Sequence, residues 1–389
     1  MLRINRGCLK NPNNRADSAT MCSKAVSSLR KRKRAFLTLF LVPLLACAQE
    51  RPNFLVIVAD DVGYAELGPY GSEIETPALD AIAAEGLRFT SFYAQMNCSP
   101  SRAMLLSGTD SHLAGLGTIA ANFVSPSQRG VPGYEGVLNN RVVTFAKLLQ
   151  DNGYRSYMTG KWHLGVSPDT LPIARGFDRS FIQSAGGPAN SHFNLNGPRP
   201  DATGAYFEDE IDMTGTPVAD DFFSSNFYTD KLIQYMREDE RQEAPFLAYL
   251  AFSAPHIPVQ APETHIDLYR DAYGDGYDIL RERRLAKMIE LGLLPEETEL
   301  SRRPITVTPW DALSAEAKRL QARRMEIYAG AIDNMDDNIA RVIDYLKGIA
   351  EYDNTVILFV SDNGAAGFFG WSEGAAGVAQ VARADNSLE

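Results

Sequence analysis

The sequence predicts an α/β fold in which a large, mostly parallel mixed β-sheet is covered by helices on both faces. Three continuous apolar runs support this prediction, at residues 53–59, 246–252 and 355–360, and the first of them is rich in β-branched residues. Such runs are typical of strands that are buried on both faces. Segments with helical spacing lie between them, and strands that alternate with helices favour a parallel sheet.

The other elements are predicted from local signals. Thr76-Pro77 places a hydroxyl cap and a proline at the start of a helix that Gly86 closes. Residues 143–152 are predicted to form a second helix, followed by a short strand at 155–158. Apolar residues then recur on one face of a long helix, at Tyr328, Ile332, Met335, Ile339, Val342, Ile343 and Leu346. That stripe predicts packing on the sheet.

The domain organisation is predicted from composition. Residues 267–325 are rich in charge and are expected to form a helical surface excursion between two core strands. No internal repeat or long linker divides the rest of the sequence. We therefore expect residues 51–389 to form one catalytic domain.

Residues 1–47 are predicted to be a leader with an export signal. A basic run at residues 30–34 precedes an apolar run at residues 35–46, which is too short for a permanent membrane helix. Leu44-Leu45-Ala46-Cys47 also resembles a bacterial lipobox, so a lipid anchor at Cys47 and cleavage after Ala48 both stay open. We expect an exported bacterial protein, either periplasmic or anchored in the outer membrane.

Charge and cysteine content narrow the possible functions. The formal net charge is −11, and residues 1–46 hold ten Lys/Arg and one Asp, so the exported part is more acidic still. Because so acidic a protein would repel phosphate backbones, nucleic acid is excluded as a partner. Apart from Cys47, the exported part keeps only Cys98, so an internal disulfide framework is not expected.

Residues 97–108 place a cysteine, a proline and an arginine at the start of a short apolar helix. Pro100 suits the first helical turn, beside Cys98. A helix N-terminus attracts anions and lowers the pKa of a nearby thiol, which favours a reactive thiolate at Cys98. The alternative is an inert, buried cysteine before an ordinary helix.

Two polar pairs directly follow predicted strands. Asp60-Asp61 follows the first strand, and Asp362-Asn363 follows the last. Open α/β sheets bind ligands at the carboxyl ends of their strands. Three carboxylates and an amide suit a hard cation such as Ca²⁺ better than Zn²⁺. Either pair taken alone is better explained as a turn or a helix cap.

Two further segments carry histidines at strand ends. Gly160-Lys161-Trp162-His163-Leu164-Gly165 places a cation and an imidazole on either side of a tryptophan. Ala254-Pro255-His256-Ile257-Pro258 places a histidine among prolines that would hold it rigidly. Taken alone, the first fits a surface loop and the second a histidine satisfied within a turn.

Together these segments resemble the type I sulfatase family, and most closely its bacterial arylsulfatases. Cys98-x-Pro100-x-Arg102 resembles the family signature, and the hexapeptide at 160–165 resembles another of its motifs. The resemblance runs from about Pro52 to the end of the sequence. It implies an alkaline-phosphatase-like core and the hydrolysis of sulfate monoesters, with a small-molecule or glycan sulfate ester as substrate.

The resemblance also implies a modified residue and a metal. Cys98 would be oxidised by a separate maturation enzyme to Cα-formylglycine, the aldehyde that carries the chemistry. Ca²⁺ would be held by the side chains of Asp60, Asp61, Asp362 and Asn363 and by the group formed from Cys98.

The remaining roles implied by the resemblance belong to histidines and cations. His256 would protonate or stabilise the leaving oxygen, and His163 would accept a proton from the modified Cys98. Arg102 and Lys161 would stabilise charge around the modified residue and the sulfate.

The sequence departs from the family pattern in three ways. Ser107 stands where the family usually has threonine, and the hydroxyl is kept. The family's second sulfate-contacting lysine would lie beyond Asp362, but the last lysine of the sequence is Lys347. The family's C-terminal subdomain is also missing. We therefore expect a truncated form with poor stability or activity, because one lost oxyanion contact costs about 2–4 kcal/mol.

Two other functions stay open at this point. The same core could hydrolyse phosphonate or phosphate monoesters, because these are also tetrahedral anions. Alternatively, the chain is an inactive, truncated envelope lipoprotein that binds Ca²⁺ and sulfated glycans.

Overall fold

The structure is a computed structural model that describes residues 1–3, 51–119, 125–184, 192–193, 206–213, 216 and 220–365. At its centre lies an eight-stranded mixed sheet, with helices on both faces. The strands are β1 (Leu2–Arg3), β2 (Asn53–Ala59), β3 (Arg155–Lys161), β4 (Arg179–Gln183), β5 (Tyr206–Glu208), β6 (Ile211–Asp212), β7 (Phe246–Ala251) and β8 (Thr355–Ser361). The predicted α/β class is confirmed.

The order of the strands across the sheet is β1-β8-β2-β7-β3-β4-β5-β6. The five strands from β8 to β4 run parallel, whereas β1, β5 and β6 pair antiparallel with their neighbours. Ala59 of β2 lies opposite Ser361 of β8, and Gly160 of β3 lies opposite Ala251 of β7. The central parallel strands therefore end along one edge of the sheet.

Seven helices are described, at α1 (Pro77–Glu85), α2 (Cys98–Ser107), α3 (Phe145–Asp151), α4 (Ser224–Glu238), α5 (Glu263–Ile266), α6 (Gly276–Glu290) and α7 (Ala315–Gly348). The central strand β2 shows why its sequence is continuously apolar. Leu55 and Ile57 pack in the core with α1, α4 and α7, whereas Val56 and Val58 pack with α2 and α3. Both faces of the strand are buried, so neither can be polar.

The predicted elements agree closely with the observed ones. The helix predicted to begin at Thr76-Pro77 is α1, and the one at 143–152 is α3, where the Thr144 side chain accepts a hydrogen bond from the Lys147 amide at 3.0 Å. The short strand predicted at 155–158 extends to Lys161. Helices α6 and α7 occupy much of the charged segment at 267–325. The sequence interpretation omitted helices α4 and α5 and strands β1 and β4 to β6.

The first three residues form an edge strand. Leu2 lies opposite Leu358 of β8, and the Met1 ammonium donates a hydrogen bond to the Phe359 carbonyl at 2.8 Å. The Arg3 guanidinium pairs with Glu85 of α1 at 2.7 Å. The predicted export signal and Cys47 lie outside the described residues. No helix within the described ranges is long and apolar enough to cross a bilayer.

Candidate active site

Nine side chains converge where the central strands end. We call this group the strand-end cluster; it comprises Asp60, Asp61, Cys98, Arg102, Lys161, His163, His256, Asp362 and Asn363. These are all of the metal and catalytic residues that the sequence predicted. Strands β2, β3 and β8, the turn after β7 and helix α2 supply them. The structure thus brings together segments that lie far apart in the sequence.

The backbone at Gly160 allows strand β3 to reach the cluster. Its φ is 101°, and a Cβ atom at this position would lie 1.7 Å from the Ala251 carbonyl oxygen of β7. Only glycine combines this backbone conformation with so close an approach. The next residue, Lys161, is consequently directed into the buried end of the sheet, where its side chain is fully covered.

Two buried cations neutralise two of the carboxylates. The Lys161 ammonium donates to both Asp60 oxygens, at 2.8 and 2.6 Å. The Arg102 guanidinium donates from Nε to Asp362 at 2.7 Å and from Nη1 to the Lys161 carbonyl at 2.7 Å. Burial disfavours the charge on Lys161, but the acidic groups around it, led by the Asp60 carboxylate, together outweigh this effect and raise the pKa of Lys161 above its usual value. Both cations therefore remain charged in the interior.

The cluster nevertheless carries excess negative charge. Asp60, Asp61 and Asp362 supply three carboxylates against the two cations. Burial, followed by the nearby Asp60 carboxylate, raises the pKa of Asp362, although Arg102 opposes this shift. An additional positive charge would therefore stabilise this end of the sheet.

The turn after β2 has an unusual backbone. Asp61 has φ at 65°, in the left-handed region that costs energy for residues other than glycine. Its amide donates to an Asp362 oxygen at 3.3 Å, and its carboxylate accepts a hydrogen bond from the Asn363 amide group. These contacts tie the turn after β2 to the turn after β8. The Asn363 carboxamide oxygen is buried and has no hydrogen-bond partner among the described residues.

The donor atoms fit a hard divalent cation. One potential ligand atom from each of Asp60, Asp61, Cys98 and His256 lies within 4.8 Å of the others, and the free Asn363 oxygen belongs to the same turns. Carboxylate and amide oxygens are the ligands that Ca²⁺ prefers. The unpaired acceptor and the excess negative charge both indicate a place for a cation.

Cys98 is the first residue of α2 and is 4% exposed. Burial raises the pKa of its thiol to about 12, and the attraction of Lys161 does not compensate. The prediction that the helix N-terminus lowers this pKa is therefore wrong, because the loss of solvation and the nearby Asp60 and Asp362 carboxylates together exceed the attraction of Lys161 and Arg102. An unmodified Cys98 would be a neutral thiol and a weak nucleophile.

The two histidines differ in their hydrogen bonding. His256 Nδ1 lies 2.7 Å from the Ile257 carbonyl oxygen, and its Nε2 lies 3.7 Å from an Asp61 oxygen. His163 is buried in a left-handed conformation with φ at 58°, and its Nδ1 has no partner within the described structure. Burial, together with the charges of Lys161 and Arg102, holds the pKa of His163 well below its usual value. His163 is therefore a neutral imidazole with a free nitrogen.

Two residues beside the cluster were not found from the sequence. The Ser361 hydroxyl accepts from the Val62 amide at 3.0 Å and donates to the Asn363 carbonyl at 2.7 Å, so it links the turn after β2 to the turn after β8. Ser361 directly precedes Asp362 in the sequence, and this position could have indicated that it lies beside the cluster. His192 lies with Nε2 3.5 Å from the His256 carbonyl oxygen. No motif marks His192, because its neighbours in space come from distant segments.

The comparisons with known proteins show the family of this chain. A model of the sulfatase family matches residues 52–376. The chain belongs to the sulfatase family. It is 37% identical over 322 residues to an arylsulfatase of Klebsiella aerogenes, covering 82% of this chain and 68% of that protein. It is 45% identical over 328 residues to an uncharacterized sulfatase of Schizosaccharomyces pombe, covering 82% of this chain and 58% of the relative.

The solved structures show the same fold. A crystal structure of Ps i-CgsB in complex with k-i-k-neocarrahexaose has a TM-score of 0.58 and 24% sequence identity. The match covers 85% of this chain and 63% of that one. This sulfatase-family sequence thus spans less than two thirds of the length of several proteins it resembles.

Proposed function

We propose that this chain hydrolyses sulfate monoesters in the manner of an arylsulfatase, with a Cα-formylglycine derived from Cys98 and a bound Ca²⁺. The convergence of Asp60, Asp61, Cys98 and His256 within 4.8 Å carries this proposal. Family membership supports it, and so does the convergence of the predicted motifs at one end of the sheet. The formylglycine, once hydrated to a gem-diol, would supply one hydroxyl as the nucleophile, and Ca²⁺ would attract the negative charge of the sulfate.

The protein side chains would supply charge and proton transfer. Asp60 and Asp61, together with Asp362 and Asn363, would hold the cation. Lys161 and Arg102 are fixed by carboxylates, so their main contribution would be a permanent positive field that stabilises charge on the sulfate without rearranging.

The two histidines suit opposite tasks in proton transfer. His163 would accept a proton at its free Nδ1, because burial keeps the imidazole neutral. His256 would donate a proton to the leaving oxygen from Nε2 in its doubly protonated form, because its Nδ1–H is already donated to the Ile257 carbonyl. General acid and base steps of this kind contribute about 10²- to 10⁴-fold each.

The test uses the full chain, co-produced with a formylglycine-generating maturation enzyme. A mass spectrum of the peptide that contains Cys98 should show the aldehyde, and the protein should cleave an aryl sulfate. Cys98→Ala should lower turnover by at least about 10³-fold, because it removes the nucleophile. Ser107→Ala is the matched control on the same helix, since that hydroxyl only contacts the Ala103 carbonyl at 2.6 Å. Active protein with an unmodified thiol would overturn the proposal.

The same preparation separates the alternatives. Rates on an aryl phosphonate or an aryl phosphate that exceed the rate on the aryl sulfate would assign the site to those monoesters. Retained Ca²⁺ binding with no turnover of any ester would indicate a non-catalytic protein. Export also stays a prediction, tested by locating the mature protein in cell fractions and by mass analysis of its N-terminus for lipid at Cys47.

A further inference from the structure

A second layer of polar contacts lies behind the Asp61 turn. The Gly63 amide donates to the Glu66 carboxylate at 2.7 Å, so Glu66 closes the turn that begins at Asp60-Asp61. The Tyr328 hydroxyl on α7 donates to the same Glu66 oxygen, and it lies 3.4 Å from the Asp61 carbonyl oxygen. One phenol therefore contacts both ends of the turn.

Glu66 is held from its other side by helix α6. Arg284 Nη1 lies 3.6 Å from the second Glu66 oxygen, while its Nε and Nη2 donate to Glu73, each at 2.8 Å. The Tyr273 hydroxyl donates to Glu73 at 2.9 Å and completes the chain of contacts. The side chains of Arg284 and Glu66 are 13% and 16% exposed, so solvent weakens this attraction less than it would at the surface.

These contacts act on one of the two left-handed residues of the site, Asp61. A left-handed backbone at an aspartate persists only where its surroundings fix it. The amide of Asp61 is fixed from the front by Asp362, and its carbonyl faces Tyr328 from behind. The orientation of the Asp61 carboxylate therefore depends on residues that do not face the pocket.

We propose that Glu66, Tyr328 and Arg284 form a positioning triad that fixes the Asp61 turn and thereby sets the affinity of the site for Ca²⁺. This inference rests on the proposed function, since it assumes that the strand-end cluster binds the ion. None of the three residues is a catalytic residue, because each acts through Asp61. The triad also links the charged excursion at α6 to the centre of the site.

The experiment measures Ca²⁺ binding rather than turnover. The full chain is freed of metal with a chelator, and Ca²⁺ is titrated by isothermal titration calorimetry. Tyr328→Phe keeps the ring and removes the hydroxyl, so we expect the dissociation constant to rise about 10- to 100-fold, as is typical for outer contacts of metal ligands. Glu66→Gln keeps an acceptor but loses its charge toward Arg284, and a smaller loss in the same direction is expected.

Tyr345→Phe is the matched control, because Tyr345 lies on the same helix and its ring packs on Arg237. This variant should bind Ca²⁺ with wild-type affinity. Melting temperatures with and without Ca²⁺ separate positioning from a purely structural role. The triad predicts that Tyr328→Phe reduces the stabilisation gained from Ca²⁺ and that saturating Ca²⁺ restores turnover.

The outcomes distinguish the two proposals. Wild-type affinity in both Tyr328→Phe and Glu66→Gln, or an equal loss of melting temperature with and without Ca²⁺, would overturn the triad and leave the proposed function standing. A wild-type chain that binds no Ca²⁺ would overturn the proposed metal site and the triad with it. If Tyr328→Phe fails to fold, the result for Glu66→Gln decides.

Discussion

Two groups of carboxylates and histidines in this protein look alike by residue type. The strand-end cluster is one, and the other comprises His265 on α5 with Asp333 and Asp337 on α7, whose ligand atoms also lie within 4.8 Å of one another. In the second group, His265 Nδ1 contacts Asp333 at 2.6 Å, and its Nε2 contacts Asn334 at 3.2 Å. The Tyr269 hydroxyl donates to the other Asp333 oxygen at 3.0 Å.

The two groups differ in whether their buried polar atoms have hydrogen-bond partners. The second group satisfies its buried acceptors internally and holds one carboxylate, Asp337, that is 65% exposed. Within the described residues, the strand-end cluster contains buried polar atoms without partners at Asn363 and His163, excess negative charge and two left-handed residues. Ligand-type residues alone do not make a site. A binding site is indicated where buried polar atoms without partners, uncompensated charge and a strained backbone occur together.

The largest effect is expected from breaking the charge compensation. Lys161→Met in Ca²⁺-free buffer leaves the buried Asp60 carboxylate without its closest cation, which should lower the free energy of unfolding by about 3–5 kcal/mol. Urea denaturation measures this. Lys147→Met is the control, because its pair with Asp151 is exposed and contributes about 0.5 kcal/mol. An equal loss of unfolding free energy in both variants would show that the buried and the exposed ion pair contribute equally, against the prediction.

Exchanging one carboxylate in each group tests the comparison directly. Asp61→Asn removes a charge from the strand-end cluster and should weaken Ca²⁺ binding by about 10²-fold, since even outer contacts contribute 10- to 100-fold. Asp333→Asn should leave Ca²⁺ affinity unchanged, because its carboxylate is engaged by His265 and Tyr269. Calorimetric titration of both variants with Ca²⁺ measures the two affinities. If only Asp333→Asn lost Ca²⁺ affinity, the ion would belong to the second group and not to the strand-end cluster.

A buried histidine beside the site predicts a pH dependence. Burial lowers the pKa of His192 from 6.5 to about 4, so the unfolded chain binds its proton more readily than the folded protein. Its contribution to stability is fully present above pH 6.5 and is lost as the pH falls toward 4. Between pH 7 and pH 5 this loss should reach about 2 kcal/mol. His192→Gln should have a flatter pH profile in urea denaturation, and an unchanged slope would contradict the prediction.

The smallest effect is expected at the exposed member of the second group. Asp337 lies 3.9 Å from His265, and its side chain is 65% exposed, so Asp337→Asn should change the free energy of unfolding by less than about 1 kcal/mol. Thermal unfolding with and without Ca²⁺ should give the same shift as in wild type. A specific loss of Ca²⁺ stabilisation would show that this group binds the ion.

The sequence predicted the site better than the periphery of the sheet. β2, β7 and β8 were predicted because short, continuous apolar runs are typical of buried strands, and the polar pairs after them had to meet once the strands were parallel. β5 and β6 were missed because three and two residues are too short to show a periodic pattern. The wrong direction for the pKa of Cys98 has the same kind of origin. Burial depends on packing that a local motif does not contain.

The triad shows a further limit of sequence patterns. Tyr328 was predicted as part of an apolar stripe, and its ring does pack against the core. Nothing in that periodicity indicates that its hydroxyl reaches a turn more than 260 residues earlier in the chain. Contacts of this kind become visible only when α7 is placed on the sheet.

A residue of a motif can be invariant in a mutational library because the fold requires it or because the chemistry requires it. The close approach at Gly160 is an example of the first reason. Any side chain there would collide with the β7 backbone and force two central strands apart. A selection for folded protein alone should therefore reject every substitution at this position, even with no ester supplied. Its neighbour His163 should be rejected mainly when turnover is selected. Comparing the two selections would divide the hexapeptide into residues required by architecture and residues required by chemistry.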